Sequence, residues 1–161
     1  MKRIEPGPGQ ESVWDYPRPP RLEMSSRRIR VFFAGTLIAE STKAYRVLET
    51  SHPPTWYIPR EDTKTEFLIR VNGSSHCEWK GVATYWTVKV GDQVAGNAGW
   101  SYEHPSARFT AIARHLAFYP SRCECYVDEE RVQPQPGDFY GGWITSDVVG
   151  PFKGSPGTWG W

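Results

Sequence analysis

The sequence predicts a mostly β protein, a single small β-barrel or β-tent-like domain of antiparallel hairpins with one short helix. Three observations predict it. Short apolar runs with period-two alternation recur along the chain and are punctuated by glycine turns. Fourteen Pro and fifteen Gly argue against long helices. Eight Trp, eight Tyr and seven Phe supply a core although hydrophobic content is only 39%, because aromatic side chains each bury a large area. A length of 161 residues suits one domain.

Residues 1–27 read as a Pro/aromatic-rich arm. Glu5-Pro-Gly-Pro-Gly9 forms no regular element, and Trp14 and Tyr16 among prolines suit a segment anchored along the domain surface. Residues 28–136 read as the β domain. Arg28–Phe33 and Leu37–Glu40 flank a turn at Ala34-Gly-Thr36, and Ala44–Glu49 is a further strand. His52-Pro-Pro54 breaks that strand, because prolines remove donors and fix the backbone. Trp56-Tyr-Ile58 and Thr65–Val71 follow, and Asn72–Ser75 reads as a loop. Ser106 is the expected cap of a helix over Ala107–Leu116, with Phe109, Ile112, Ala113 and Leu116 on one stripe. Residues 137–161, rich in Gly and Trp, have no periodicity and read as a tail packed on the domain through aromatic anchors.

The stretch from His76 to Tyr102 organises the rest. Gly91-Asp-Gln93 is the turn between two strands. Alternation puts Val82, Thr84, Trp86, Val88 and Val90 on one apolar face. Extended backwards, that face carries Lys80 and Glu78, which places a cation where the core opens to water. Cys77 then falls on the opposite face, unless the backbone bends.

Several segments together resemble the family catalogued as domain of unknown function 427. They include Val47-Leu-Glu-Thr-Ser-His-Pro-Pro54, Cys77-Glu-Trp-Lys-Gly81, Ala98-Gly-Trp-Ser-Tyr102 and the ending from Gly141 to Trp161. The resemblance implies a small, mostly β domain of the tent-like or barrel-like kind. It also brings a nucleotidyltransferase label, and hence a transferase expectation. The sequence has no Gly-Ser motif followed by paired Asp residues of the usual nucleotidyltransferase kind. The position after Cys77, commonly Pro in such relatives, is Glu78 here.

The catalytic candidates are Lys80, Cys77 and Glu49. A partly buried Lys80 suits an anion, or acts as base or nucleophile; the plainer reading packs its stem and leaves the head in water. Cys77 is either a thiolate assisted by Lys80 or His76, or a small buried hydrophobe. Glu49 suits a general base or an ion-pair partner for Lys80 or Arg60. Tyr57, Arg60, Tyr85, Trp100 and Tyr102 are the ligand-binding candidates, the aromatics as a stacking wall.

Cys123-x-Cys125 with Cys77 and His76 has the wrong spacing for a zinc knuckle, so no metal is expected, and the cofactor is left open. A net charge of +1 provides no field for nucleic acid. No apolar run approaches the roughly 20 residues of a membrane span. The N-terminus lacks the apolar run of a secretory signal. With three cysteines, an odd number, a reduced cytoplasmic setting is expected. The expected partner is a small molecule, bound by a monomer or homodimer. Two functions remain open: a small-molecule binder or enzyme, for instance for a nucleotide or phosphorylated metabolite, and a non-catalytic protein-interaction module docking through arm and tail.

Overall fold

The computed structural model describes residues 1–161. The strands in chain order are β1 (Glu11–Ser12), β2 (Arg21–Met24), β3 (Ile29–Phe33), β4 (Thr36–Ser41), β5 (Tyr45–Leu48), β6 (Thr55–Tyr57) and β7 (Leu68–Cys77). They continue with β8 (Gly81–Val90), β9 (Gln93–Ser101), β10 (Ala117–Phe118), β11 (Glu124–Val127), β12 (Glu130–Arg131), β13 (Gln133–Pro134), β14 (Trp143–Ile144) and β15 (Val148–Val149). The protein is mostly β, with antiparallel sheets ordered β12-β11-β3-β4, β10-β9-β8-β7 and β2-β5-β6. No ladder closes these sheets into a barrel.

The tight turns follow from their residues. Ala34 and Gly35 both have positive φ (49° and 75°), as a two-residue type I′ hairpin requires. Gly91 has φ 58° at the first position of the β8–β9 turn, where only glycine is free of Cβ strain. A bridge between Ile58 and Leu116, made of two 2.8 Å backbone hydrogen bonds, joins β6 to the start of β10. The β2-β5-β6 and β10-β9-β8-β7 sheets thereby become neighbours.

Two cores lie on opposite faces of β8. Val88, with Trp86 against it, belongs to a cluster built on β3, β4 and β11. Ala83 and Tyr85 belong with Tyr57, Trp100, Tyr102 and Phe109. The even-numbered face is thus core along much of its length, but Val82 is 54% exposed and the pairing slips between Trp86 and Val88.

Three expectations are corrected. The Ala107–Leu116 helix is a 3-10 segment, Ala107–Ile112, broken at Phe109 (φ −111°, ψ 18°). Phe109 and Ile112 are buried as the stripe requires, but the chain turns outward at Ala113 to deliver Leu116 to its bridge with Ile58. Asn72–Ser75 continues β7 with an irregular register rather than forming a loop. The N-terminal residues are not only a surface segment: β2 pairs with β5 and β1 with β15.

The C-terminal residues are built in. Trp143 is buried, stacks near Trp56 (6.2 Å) and donates its indole N–H to the Phe118 carbonyl (2.9 Å). Gly137 and Gly154 let two backbone segments cross: a methyl on Gly154, at φ +140°, would lie 1.8 Å from the Pro136 carbonyl oxygen. Gly154→Ala should therefore cost at least about 2 kcal/mol in thermal unfolding. Gly160→Ala, which meets nothing within 4 Å, is the neutral control; equal melting temperatures for the two variants would contradict this packing. No helix is long and apolar enough to cross a membrane.

Candidate functional site

A cavity of about 530 Å³ opens on the odd-numbered face of β8. Its floor is drawn from several strands of the joined sheets: Val47 on β5, Tyr57 on β6, Cys77 on β7, Tyr85 on β8 and Trp100 on β9. Tyr85 and Trp100 are directly opposed in the β8–β9 ladder. Trp100 donates its indole N–H to the Tyr57 hydroxyl (3.1 Å), which fixes both rings. Tyr119 packs on Trp100 with centroids 4.7 Å apart. Burial raises the phenol pKa values of Tyr57 and Tyr102 far above normal and pushes Tyr119 up to about 12, so all three stay neutral donors.

Lys80 enters this cavity by a route the alternation does not anticipate. Glu78–Lys80 forms the turn between β7 and β8, so strand parity ends at Cys77, which pairs across the turn with Gly81. Gly81 has φ +109°, a conformation that favours glycine. The turn is pinned from outside: Ser106 N–H donates to the Lys80 carbonyl (3.1 Å), and Ser106 Oγ donates to the Trp79 carbonyl (2.6 Å). This reversal brings Cys77 and Lys80 to one cavity.

Lys80 is only 8% exposed. Its Nζ lies 5.9 Å from the Tyr102 ring centroid and 5.8 Å from that of Phe109. Lys43 is the only lysine with a carboxylate within 4.0 Å, so Lys80 has none. The Cys77 thiol sits beside Tyr102, whose phenol it helps to raise.

Glu49 lines the cavity but is no partner of Lys80. Its carboxylate is 3.8 Å from His52 Nε2 and 3.9 Å from Arg18 Nε. His52 is held by Gln135. Gln135 Nε2 donates to the Lys153 carbonyl (2.7 Å), and its Oε1 accepts from Gly142 N–H (3.0 Å). Both backbone partners fix the amide orientation, so the 3.1 Å contact from Nε2 to His52 Nδ1 makes Nδ1 the acceptor. The imidazole proton is then on Nε2. Burial, and after it the charges of Lys153, Arg18 and Lys80, lower the His52 pKa to about 3, in keeping with a neutral ring.

Arg60 is the candidate that falls elsewhere. It donates to Glu103 (2.7 Å) and to the Arg114 carbonyl (2.9 Å), and it lies over Trp86 (5.4 Å). Trp86 is on the opposite face of β8 from Tyr85, so Arg60 cannot line the same cavity. Cys123 and Cys125 are buried in the other core, and burial pushes the Cys123 thiol up to about 12. No three His, Cys, Asp or Glu side chains converge as a metal site.

The C-terminal residues supply a wall that sequence patterning did not nominate. Asp138, Phe139, Tyr140 and Lys153 all line the cavity. Tyr140 meets His52 edge-on at 4.6 Å, and Lys153 Nζ lies 5.4 Å from the Tyr140 centroid. Arg122, also lining, is paired with Asp138 (3.3 Å). These groups lie in Gly/Pro-rich stretches where no period marks a facing side chain.

Fold and site together define a mostly β protein with an aromatic pocket that holds a buried, unpaired ammonium. A family model described as Domain of unknown function (DUF427), with the label NTP_transf_9, matches residues 21–129. The chain belongs to this family. No curated protein matches the chain. Lys80, Cys77 and Glu49 fall within the matched span, whereas Tyr140 and Lys153 lie beyond it.

Proposed function

We propose that this protein binds a small molecule bearing an anionic group, of the nucleotide or phosphorylated-metabolite kind, in the cavity beside Lys80. One observation carries the reading: the Lys80 residue is only 8% exposed and lines a cavity, and its ammonium has no carboxylate within 4.0 Å. Taking a cation out of water without a counter-charge is costly, and a bound anion removes that cost. Tyr57, Tyr85, Trp100 and Tyr102 offer flat apolar walls to the rest of the ligand. The volume suits a compound of metabolite size.

Where the ligand reacts, Cys77 is the nucleophile candidate and Glu49 the base, with Lys80 holding the anion; this is the form a transferase activity would take. A tent-like sheet open at one end is the shape this reading assigns to the domain. Its setting is cytoplasmic, in keeping with three free thiols.

A thermal-shift screen of the full chain against nucleoside phosphates and phosphorylated metabolites tests the reading. A ligand at 100 times its Kd should add about 2.7 kcal/mol, or roughly 5–10 °C for a chain of this size. If no anionic compound in the panel stabilises the protein, the proposal fails.

A second reading, a non-catalytic interaction module, has its own observation. Phe139 and Trp159 are 66% and 57% exposed and flank Tyr140, at 4.8 and 6.3 Å. That reading predicts association through these rings, lost on Phe139→Ser with Trp159→Ser, and no ligand-induced shift.

A further inference from the structure

We infer that the pocket takes a doubly charged anion, a phosphate monoester on a flat ring, held between Lys80 and Lys153, with the C-terminal segment supplying the second cation. The inference rests on the reading of the pocket as an anion receptor and goes on to name the ligand class and the second receiving group.

Lys153, half-buried where Lys80 is buried, offers a second cation. It lines the same cavity, lies over an aromatic ring and has no carboxylate within 4.0 Å. Lys80, Lys153 and His52 all line this one cavity. The lining carboxylates are mostly engaged elsewhere. Asp138 is taken by Arg122 (3.3 Å) and Ser121 Oγ (2.6 Å). Glu49 faces Arg18 and His52. Glu78 is exposed to solvent. Lys80 and Lys153 are therefore two cations lining this cavity with no carboxylate within 4.0 Å. A monoester phosphate brings close to two negative charges at neutral pH, whereas a carboxylate brings one.

The neutral His52 adds a third donor. Its Nε2 proton follows from the Gln135 contacts, and a neutral N–H donates to a phosphate oxygen without adding charge. Gln135 is the positioning residue: one amide fixes the ring of His52 and the backbone of Lys153 together. The flat part of the ligand then has Tyr85, Trp100 and Tyr119 as its platform.

Calorimetric titration of the full chain with phenyl phosphate, benzoate and inorganic phosphate tests this. The wild type should bind phenyl phosphate most tightly. Lys153→Met should weaken phenyl phosphate by at least about tenfold, the loss expected for one charge-assisted hydrogen bond, and benzoate by less than about threefold. Lys153→Arg should restore most of the loss. Unliganded melting temperatures establish that both variants fold. If the wild type binds phenyl phosphate and benzoate equally, and Lys153→Met changes neither, this inference fails while the anion-receptor reading stands. If none of the three anions binds, both fail.

Discussion

Lys80→Met should raise the melting temperature of the free protein and sharply reduce its response to anionic ligands. The Lys80 residue is buried, and its ammonium lies over Tyr102 and Phe109 with no carboxylate to neutralise it. Ring contacts return about 0.5–2 kcal/mol, less than the several kcal/mol that desolvating an ion costs. Methionine is unbranched and adaptable, and it fills nearly the same space without charge. A net gain of about 1 kcal/mol is expected, or roughly 2–4 °C for a chain of this length. Ligand binding should fall by about ten- to a hundredfold, as expected when a charge-assisted hydrogen bond is removed. Calorimetric unfolding with and without ligand reads both effects. A Lys80 that merely packs its stem and keeps its head in water would give neither, with stability within about 0.5 kcal/mol of wild type.

Acid should destabilise the protein well above the range where carboxylates titrate. His52 has a folded pKa near 3, while an unfolded histidine titrates near 6.5. Below pH 6.5 the unfolded chain takes up a proton that the folded chain refuses, so stability falls as pH falls from about 6.5 towards 3. The limiting slope is about 1.4 kcal/mol per pH unit for one such group. His115, also lowered by burial, adds to it with the same sign. Glu103 and Asp147 act lower down. Their folded pKa values are depressed, by the Ser101 and Arg60 contacts for Glu103 and by the Thr145 and Arg27 contacts for Asp147, against the opposing effect of burial. Their stabilisation is present above the usual carboxylate range and is lost as pH drops through the folded values. Urea midpoints between pH 7 and 5 isolate the histidine part. His52→Asn keeps an acceptor for Gln135 but does not titrate; its midpoint should vary less with pH than that of wild type. Parallel pH profiles would show that His52 is not the group responsible.

How much of this was legible in the sequence depends on distance along the chain. The hairpins at Ala34-Gly35 and Gly91-Asp92 were legible because their signals are local, a glycine at the φ > 0 position between alternating strands. Lys80, Cys77, Glu49, Tyr57, Tyr85, Trp100 and Tyr102 do meet in one cavity. The pocket nevertheless lies on the side of Ala83 and Tyr85, opposite the Val82–Val90 face from which alternation extends to Lys80. Lys80 reaches it only because a turn separates it from β8. Arg60 was misplaced for a similar reason: its partner Glu103 is 43 residues away, and nothing local signals the pair. Gln135, Tyr140 and Lys153 were not nominated. The bond from Gln135 to His52 spans 83 residues, and the segments concerned cross through Gly137 and Gly154 rather than following a strand or helix period.

The measurement that bears most directly on the account is a crystal structure of the full chain with phenyl phosphate bound. The phosphate should lie within hydrogen-bond reach of Lys80 Nζ, about 2.7–2.9 Å, with the ring against Trp100 or Tyr119. A phosphate seated elsewhere, with Lys80 unchanged against Tyr102 and Phe109, would contradict it.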